Sequence, residues 1–163
     1  MTIRLQAATE ADIPLIAALA RKIWYQHYVS IIGTDQIEYM LNMMYSDASL
    51  KDQMNNKGHR FYLIREGELT LGFVGVSGKQ GEELFIHKFY IDQDLAGKGI
   101  GSRVFKLLLE LYSPQCARLT VNRQNYKSIN FYFKNGFVIE KVADFDIGQG
   151  YVMNDFVMIW KKL

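Results

Sequence analysis

Phe89-Tyr-Ile-Asp-Gln-Asp-Leu-Ala-Gly-Lys-Gly-Ile-Gly-Ser102 reads as the end of a strand, a glycine-rich turn and the first turn of a helix. Gly97, Gly99 and Gly101 let the backbone come close to a ligand. The free N–H groups of a helix start, helped by the positive end of the helix dipole, favour an anion. The stretch therefore predicts a cradle for a phosphate-bearing cofactor. Two familiar phosphate motifs fail here. A Walker loop ends in Gly-Lys-Ser/Thr, whereas this turn ends in Gly101-Ser102-Arg103. A Rossmann site places an acidic residue at the tip of the next strand, and Arg118 to Val121 supplies none.

Outward from the turn, the chain changes character on each side. Upstream, Arg60 to Arg65, Leu69 to Ser77 and Glu82 to Ile91 read as a three-stranded meander with turns at Glu66-Gly67 and Lys79-Gln-Gly81. Gly72 and Gly75 inside the second strand suggest a bulge or a close backbone neighbour. Before the meander come a first strand, Thr2 to Ala8, and a helical stripe of Ile13, Ile16, Ala17, Ala20, Ile23 and Trp24. Gly33 breaks that helix and Thr34 starts another, with a short helical piece over Ala48 to Met54. Downstream, Ile100, Val104, Leu107, Leu108 and Leu111 share one face of a helix closed by Pro114. Ala117 to Val121 is a short buried strand, expected to run parallel to the strand before the helix. A helix over Asn125 to Asn135 ends at Gly136, and Val138 to Phe145 and Tyr151 to Trp160 form a last hairpin.

The totals narrow the class. A chain of 163 residues with 49% apolar content predicts one domain spanning residues 1–163 with its own core. The net charge is +2 and the basic residues are scattered, which gives no nucleic-acid footprint. The longest apolar run, Ile13 to Ala20, is too short to span a bilayer, so no membrane partner is expected. The N-terminus lacks a signal-peptide layout, and the single cysteine, Cys116, excludes an intramolecular disulfide. These features lead to an expectation of a cytoplasmic protein. No Cys/His cluster suggests a metal. Ten Tyr, ten Phe and two Trp hint at an aromatic-lined pocket.

The element order, taken with two motifs, resembles the GNAT superfamily of acetyl-CoA-dependent N-acetyltransferases over essentially the whole chain. Ala96-Gly-Lys-Gly-Ile-Gly101 is similar to the family's Gln/Arg-x-x-Gly-x-Gly/Ala pyrophosphate loop, with Ala96 where Gln or Arg is usual. Asn125 and Phe131-Tyr-Phe-Lys-Asn-Gly-Phe137 resemble its second signature. Trp24-Tyr-Gln-His-Tyr28 and Lys88-Phe-Tyr-Ile91 look most like polyamine or small-amine acetyltransferases. The resemblance implies an α/β fold with a mixed, mostly antiparallel sheet of about seven strands, splayed at a CoA-binding cleft. It implies transfer of an acetyl group from acetyl-CoA to a primary amine of a small molecule or polyamine, by direct attack. The pyrophosphate would rest on Ala96, Gly97, Lys98, Gly99, Ile100, Gly101 and Ser102, with Asn125 and Tyr132 nearby and the pantetheine arm along Phe89, Tyr90 and Ile91. A backbone N–H near Tyr90 would polarise the acetyl carbonyl.

The same resemblance makes Tyr132 the general acid for the departing thiolate. Strand alternation places Glu83, Phe85, His87 and Phe89 on one face, with His87 as the first candidate base and Glu83 as the second. Trp24, Tyr28 and Tyr39 are candidates for the acceptor pocket, together with Tyr151. The segment from Asp144 to Asp155 either completes that pocket or is only a hairpin. Cys116 has no nucleophile motif around it, which argues against a covalent intermediate. A peptide or protein acetyltransferase, and a non-catalytic acyl-CoA sensor, remain open at this point. Exposed strand edges leave room for a homodimer.

Overall fold

The turn leads out of the central strand of a seven-stranded sheet. The computed structural model describes residues 2–163. Its strands are β1 (Ile3–Ala7), β2 (Arg60–Glu66), β3 (Leu69–Gly78), β4 (Glu83–Ile91), β5 (Cys116–Asn122), β6 (Val138–Gly148) and β7 (Tyr151–Lys161), in the spatial order β1-β2-β3-β4-β5-β7-β6. Only β4 and β5 run parallel; every other neighbouring pair is antiparallel. Helix α3 (Ile100–Tyr112) makes the crossover that a parallel pair requires. The remaining helices are α1 (Ile13–Tyr45), α2 (Asp47–Asn55) and α4 (Tyr126–Lys134). The expected mixed, mostly antiparallel α/β sheet is therefore present.

The helices divide between the two faces of the sheet. Ile13, Ile16, Ala20, Trp24, Ile37 and Leu41 of α1 bury against Phe61, Leu63 and Phe73 on one face. Val104, Phe105 and Leu108 of α3 and Ile129 and Tyr132 of α4 bury against Val74, Val76, Leu84 and Ile86 on the other. Gly33 takes φ 79° and ψ 168°, so α1 bends there into two segments, as a break at Gly33 requires. Helix α4 begins at Asn125, whose side chain accepts the Ser128 N–H, and ends in a Schellman turn. In that turn Phe137 N–H donates to the Tyr132 carbonyl and Gly136 N–H to the Phe133 carbonyl, at 3.0 and 3.1 Å. No helix among the described residues is long and apolar enough to cross a membrane.

Two departures from regular sheet geometry create the site. First, β4 and β5 are paired only from Glu83 opposite Cys116 to Ile86 opposite Leu119. Beyond that point β4 stays bonded to β3 and β5 to β7, and a gap opens in the middle of the sheet. Second, the register between β3 and β4 slips at the same level: Val76 faces Ile86, but Gly75 faces Lys88. His87 is the extra residue of a bulge, which inverts the alternation of everything after it. The expectation that Phe89 shares a face with Glu83, Phe85 and His87 is corrected by this bulge. Phe89 packs with Phe131 and Tyr132 under α4, while Lys88 and Tyr90 turn toward α1 and α2.

Candidate active site

On the α3/α4 face, a cavity of about 240 Å³ is lined by Phe89, Ile91, Ala96, Gly97, Gly99, Ile100, Gly101, Ser102, Phe131 and Tyr132. Gly97, Lys98 and Gly99 take φ of 109°, 55° and 73°, three successive residues in the positive-φ region. Such a run turns consecutive backbone N–H groups toward one centre, making an anion nest at the start of α3. Gly101 serves packing: a Cβ there would lie 2.7 Å from the Phe131 ring. The cradle thus fits a pyrophosphate. Lys98 does not line this cavity but a neighbouring one with Glu66, Asp94 and Arg103. The cations that do line it are Lys127 and Lys134 of α4, and His27 of α1 joins them. Burial, then the Lys127 charge, lowers the His27 pKa.

The strand end that feeds this turn is clamped. Asp92, only 4% exposed, accepts from Lys22 Nζ at 2.7 Å, Gln26 Nε2 at 3.0 Å and the Asp94 N–H at 3.0 Å. Burial alone would raise the Asp92 carboxyl, but the hydrogen bonds from Gln26 and Lys22 outweigh it and hold the pKa below the usual range.

On the α1/α2 face lies a second cavity, of about 110 Å³, lined among others by Trp24, Tyr28, Tyr45, His87, Lys88, Tyr90 and Asp155. A pocket of about 30 Å³ lies in the gap itself, between β4 and β5, lined by Tyr28, His87, Phe89, Tyr90, Thr120, Asn125 and Tyr132. Phe89 and Tyr132 are shared with the cofactor-side cavity, and Tyr28, His87 and Tyr90 with the second. The gap is thus bordered on one side by the anion cradle and on the other by an aromatic, charged chamber.

Each candidate residue now has a position. Tyr132 sits at the gap, and burial, followed by the neighbouring Tyr28, raises its phenol well above the ordinary range. Asn125 caps α4 and its Nδ2 donates to Tyr28 Oη at 3.4 Å, tying the start of α4 to α1 at the gap. His87 lines the gap with its ring stacked on His59, centroids 3.8 Å apart, and its Nε2 is 2.6 Å from Ser77 Oγ. Burial, His59 and Lys88 push its pKa down to about 3, so the ring is neutral at working pH. Glu83 is not brought to the gap. It lies at the other end of β4, about 23 Å along the strand from Tyr90 at 3.3 Å per residue. Its carboxylate is bound to Arg118 at 2.7 Å, and Arg118 also grips Glu140.

Trp24 and Tyr28 line the second cavity. Tyr39 does not; its hydroxyl donates to the Ile147 carbonyl and its ring packs on Tyr151, 5.2 Å between centroids. It anchors the tip of the β6–β7 hairpin. The Tyr90 N–H is also committed elsewhere. Asp92 N–H donates to the Leu71 carbonyl, so two residues back Tyr90 forms a hydrogen-bonded pair with Phe73. The backbone groups directed at the gap are then those of Phe89 and Ile91.

Sequence reasoning missed Asp155 and Lys88, both buried, at 3% and 8% exposure. The signal was a charged residue inside an otherwise apolar strand pattern. Burial raises the Asp155 carboxyl to about 6, with Asp144 adding to the rise and Thr120 and Arg123 opposing it. Burial lowers Lys88 to about 8, with Lys57 contributing. Among the described residues no group of His, Cys, Asp and Glu is arranged to hold a metal.

A sheet opened between parallel strands, with an anion cradle beside one face and a second chamber beside the other, has the layout of a group transferase with a phosphate-bearing donor. A family model described as an acetyltransferase (GNAT) domain matches residues 29–145. The chain belongs to the GNAT acetyltransferase family; it is an N-acetyltransferase with acetyl-CoA as co-substrate. It is 26% identical to the spermidine N(1)-acetyltransferase of Thermoplasma acidophilum, over 94% of this chain and 96% of that protein. A probable N-acetyltransferase of Mycobacterium tuberculosis is 24% identical over 85% of this chain and 81% of its own length. Among solved structures, the PaiA N-acetyltransferase from Thermoplasma acidophilum in complex with coenzyme A has a TM-score of 0.77 at 24% identity, covering 99% of this chain and all of that one.

Proposed function

We propose that this enzyme acetylates the primary amine of a small molecule by direct attack on acetyl-CoA through the gap between β4 and β5. The observation that carries this reading is the continuity of lining: Tyr132 and Phe89 border the cofactor side of the gap, and His87, Tyr28 and Tyr90 border the other. A relative is named for spermidine, which supports considering polyamines among the candidate acceptors.

The nest at Gly97 to Gly99 and the cations of Lys127 and Lys134 hold the pyrophosphate. The backbone groups of Phe89 and Ile91, directed at the gap, would hold the pantetheine arm and the thioester carbonyl. An amine enters as an ammonium ion, and Asp155, with its pKa near 6, is matched to take one proton from it. The neutral amine then attacks the thioester carbonyl; the C–N bond forms and the C–S bond breaks. His87, neutral and in the gap, accepts a hydrogen bond from the attacking nitrogen. Tyr132 stays protonated across the working range and donates to the departing sulfur. The nitrogen sheds its second proton as the amide forms and restores the phenol. The net products are the amide, the free thiol and one proton passed from Asp155 to solvent.

A thiol-release assay over a panel of amines tests this. Acceptor-dependent release is expected with at least one small amine, and Tyr132→Phe should lower turnover at least about tenfold. Calorimetric CoA affinity should be unchanged by that variant. CoA binding without transfer to any small amine would contradict the reading.

A further inference from the structure

The chamber on the acceptor side carries an unusual pair of buried charges. Lys88 Nζ lies over the rings of Tyr45 and Phe61, at 5.6 and 5.3 Å from their centroids. Among the described residues its one hydrogen bond goes to Gln53 Oε1 at 2.6 Å. An ammonium has three donors, and among the described residues no carboxylate forms an ion pair with this one. Burying an unpaired cation is costly unless something compensates for it. The indole N–H of Trp24, in the wall of the same chamber beside Tyr45, is also buried and makes no hydrogen bond within 3.5 Å among the described residues. The β4 side of the chamber is therefore rich in unmatched donors. On the β7 side stands Asp155, a buried carboxylate. A polyamine carries positive charge at every nitrogen, so one of its ammonium groups would approach Lys88 as a like charge. A molecule with an anion at one end and an ammonium at the other matches both walls.

Resting on the N-acetyltransferase reading above, we propose that the acceptor is an amino-acid-like zwitterion, its carboxylate bound at Lys88 and its ammonium directed toward Asp155. The two residues stand on strands separated by β5. Two strand spacings amount to about 10 Å, and the splay widens them. An acceptor that meets both side chains therefore needs its charged ends set apart by several bonds. That spacing favours an ω-amino acid or a basic amino acid acetylated on its side chain over glycine.

The test is thiol release with matched acceptors: γ-aminobutyrate, its methyl ester and putrescine, with β-alanine, lysine and spermidine as further members. The wild-type enzyme should prefer the best amino acid over its ester and over the matched diamine by at least about tenfold in kcat/KM. Lys88→Met should abolish that preference, mainly through KM, with a loss for the amino acid at least about tenfold greater than any loss for the ester. Lys88→Gln is the companion variant, and CoA affinity by calorimetry verifies folding, since the Lys88 side chain lies on the sheet face away from the cradle. Diamines or esters turned over as well as amino acids by the wild type would overturn the proposal. Equal losses for amino acid and ester in a Lys88 variant that still binds CoA would also overturn it, because a structural lysine predicts that result. Either outcome leaves the N-acetyltransferase reading standing. Thiol release with none of these amines, despite CoA binding, would instead overturn the proposal together with the small-amine reading on which it rests.

Discussion

At the scale of single residues, the two groups best placed to handle protons on the acceptor side have been moved in opposite directions. Burial drives His87 down to about 3 and Asp155 up to about 6. Activity should therefore rise with pH through an acidic limb near 6, as Asp155 ionises. Asp155→Asn should remove that limb from the kcat/KM profile, and His87→Ala should keep it at lower turnover. The same shift has a stability consequence of known sign. The folded state binds the Asp155 proton more tightly than the unfolded chain, so stability should decline as pH rises from about 4 to about 6. Asp155→Asn should recover it at neutral pH, on the order of 3 kcal/mol if the amide keeps its neighbours. Urea unfolding of both proteins at acid and neutral pH measures this. No gain for the variant at neutral pH would mean that the carboxylate is not desolvated. Residue identity in the sequence pointed to Tyr132 and His87 because their motif or alternation was visible. Asp155 and Lys88 were not read as site residues, since a lone charge in a strand acquires meaning only from which strand lies opposite.

At the scale of elements, the bulge at His87 is the feature the amino-acid order does not reveal. It depends on a slip between Gly75 and Val76 on the neighbouring strand, and cross-strand register is a property of two segments. Period-two counting therefore put Phe89 on the wrong face, whereas the helices, whose spacing is local, were legible to within a residue or two. Gly33, Asn125 and Gly136 punctuate their helices where local chemistry requires. The junction of α3 with α4 gives an element-level prediction. Gly101→Ala places a methyl group against the Phe131 ring, which is itself wedged between Phe89 and Tyr132. Overpacking of this kind costs about 1–3 kcal/mol. CoA affinity, measured by calorimetry, should fall about tenfold as the cradle tilts, with secondary structure by circular dichroism unchanged. Unaltered affinity would show that α3 does not need close contact with α4 to form the nest.

At the scale of the whole molecule, the sheet order follows from the sequence as far as the parallel pair, because a helix must join Ile91 to Cys116 and a helix crossover implies parallel strands. The insertion of β7 between β5 and β6 does not, since hairpin strands can dock in either order. Its consequence is geometric: β7 brings Asp155 to the chamber opposite β4. Because the cradle spans the ends of β4, α3 and α4, CoA should act as a clamp across the fold. At about a hundredfold excess over Kd it should add about 2.7 kcal/mol of stability, raising Tm by several degrees in a thermal scan. No shift would place CoA elsewhere or nowhere.

Direct attack across the gap requires both substrates to be present together, one on each face of the sheet. Cys116, the only thiol, lies at the far end of β5 beside Glu83, remote from Tyr132 and the cradle. Initial-velocity kinetics at varied acetyl-CoA and varied acceptor examine this directly. Intersecting double-reciprocal lines, with no acetyl group on the protein by intact mass after acetyl-CoA alone, are expected. Parallel lines with an acetylated Cys116 would contradict transfer through the gap.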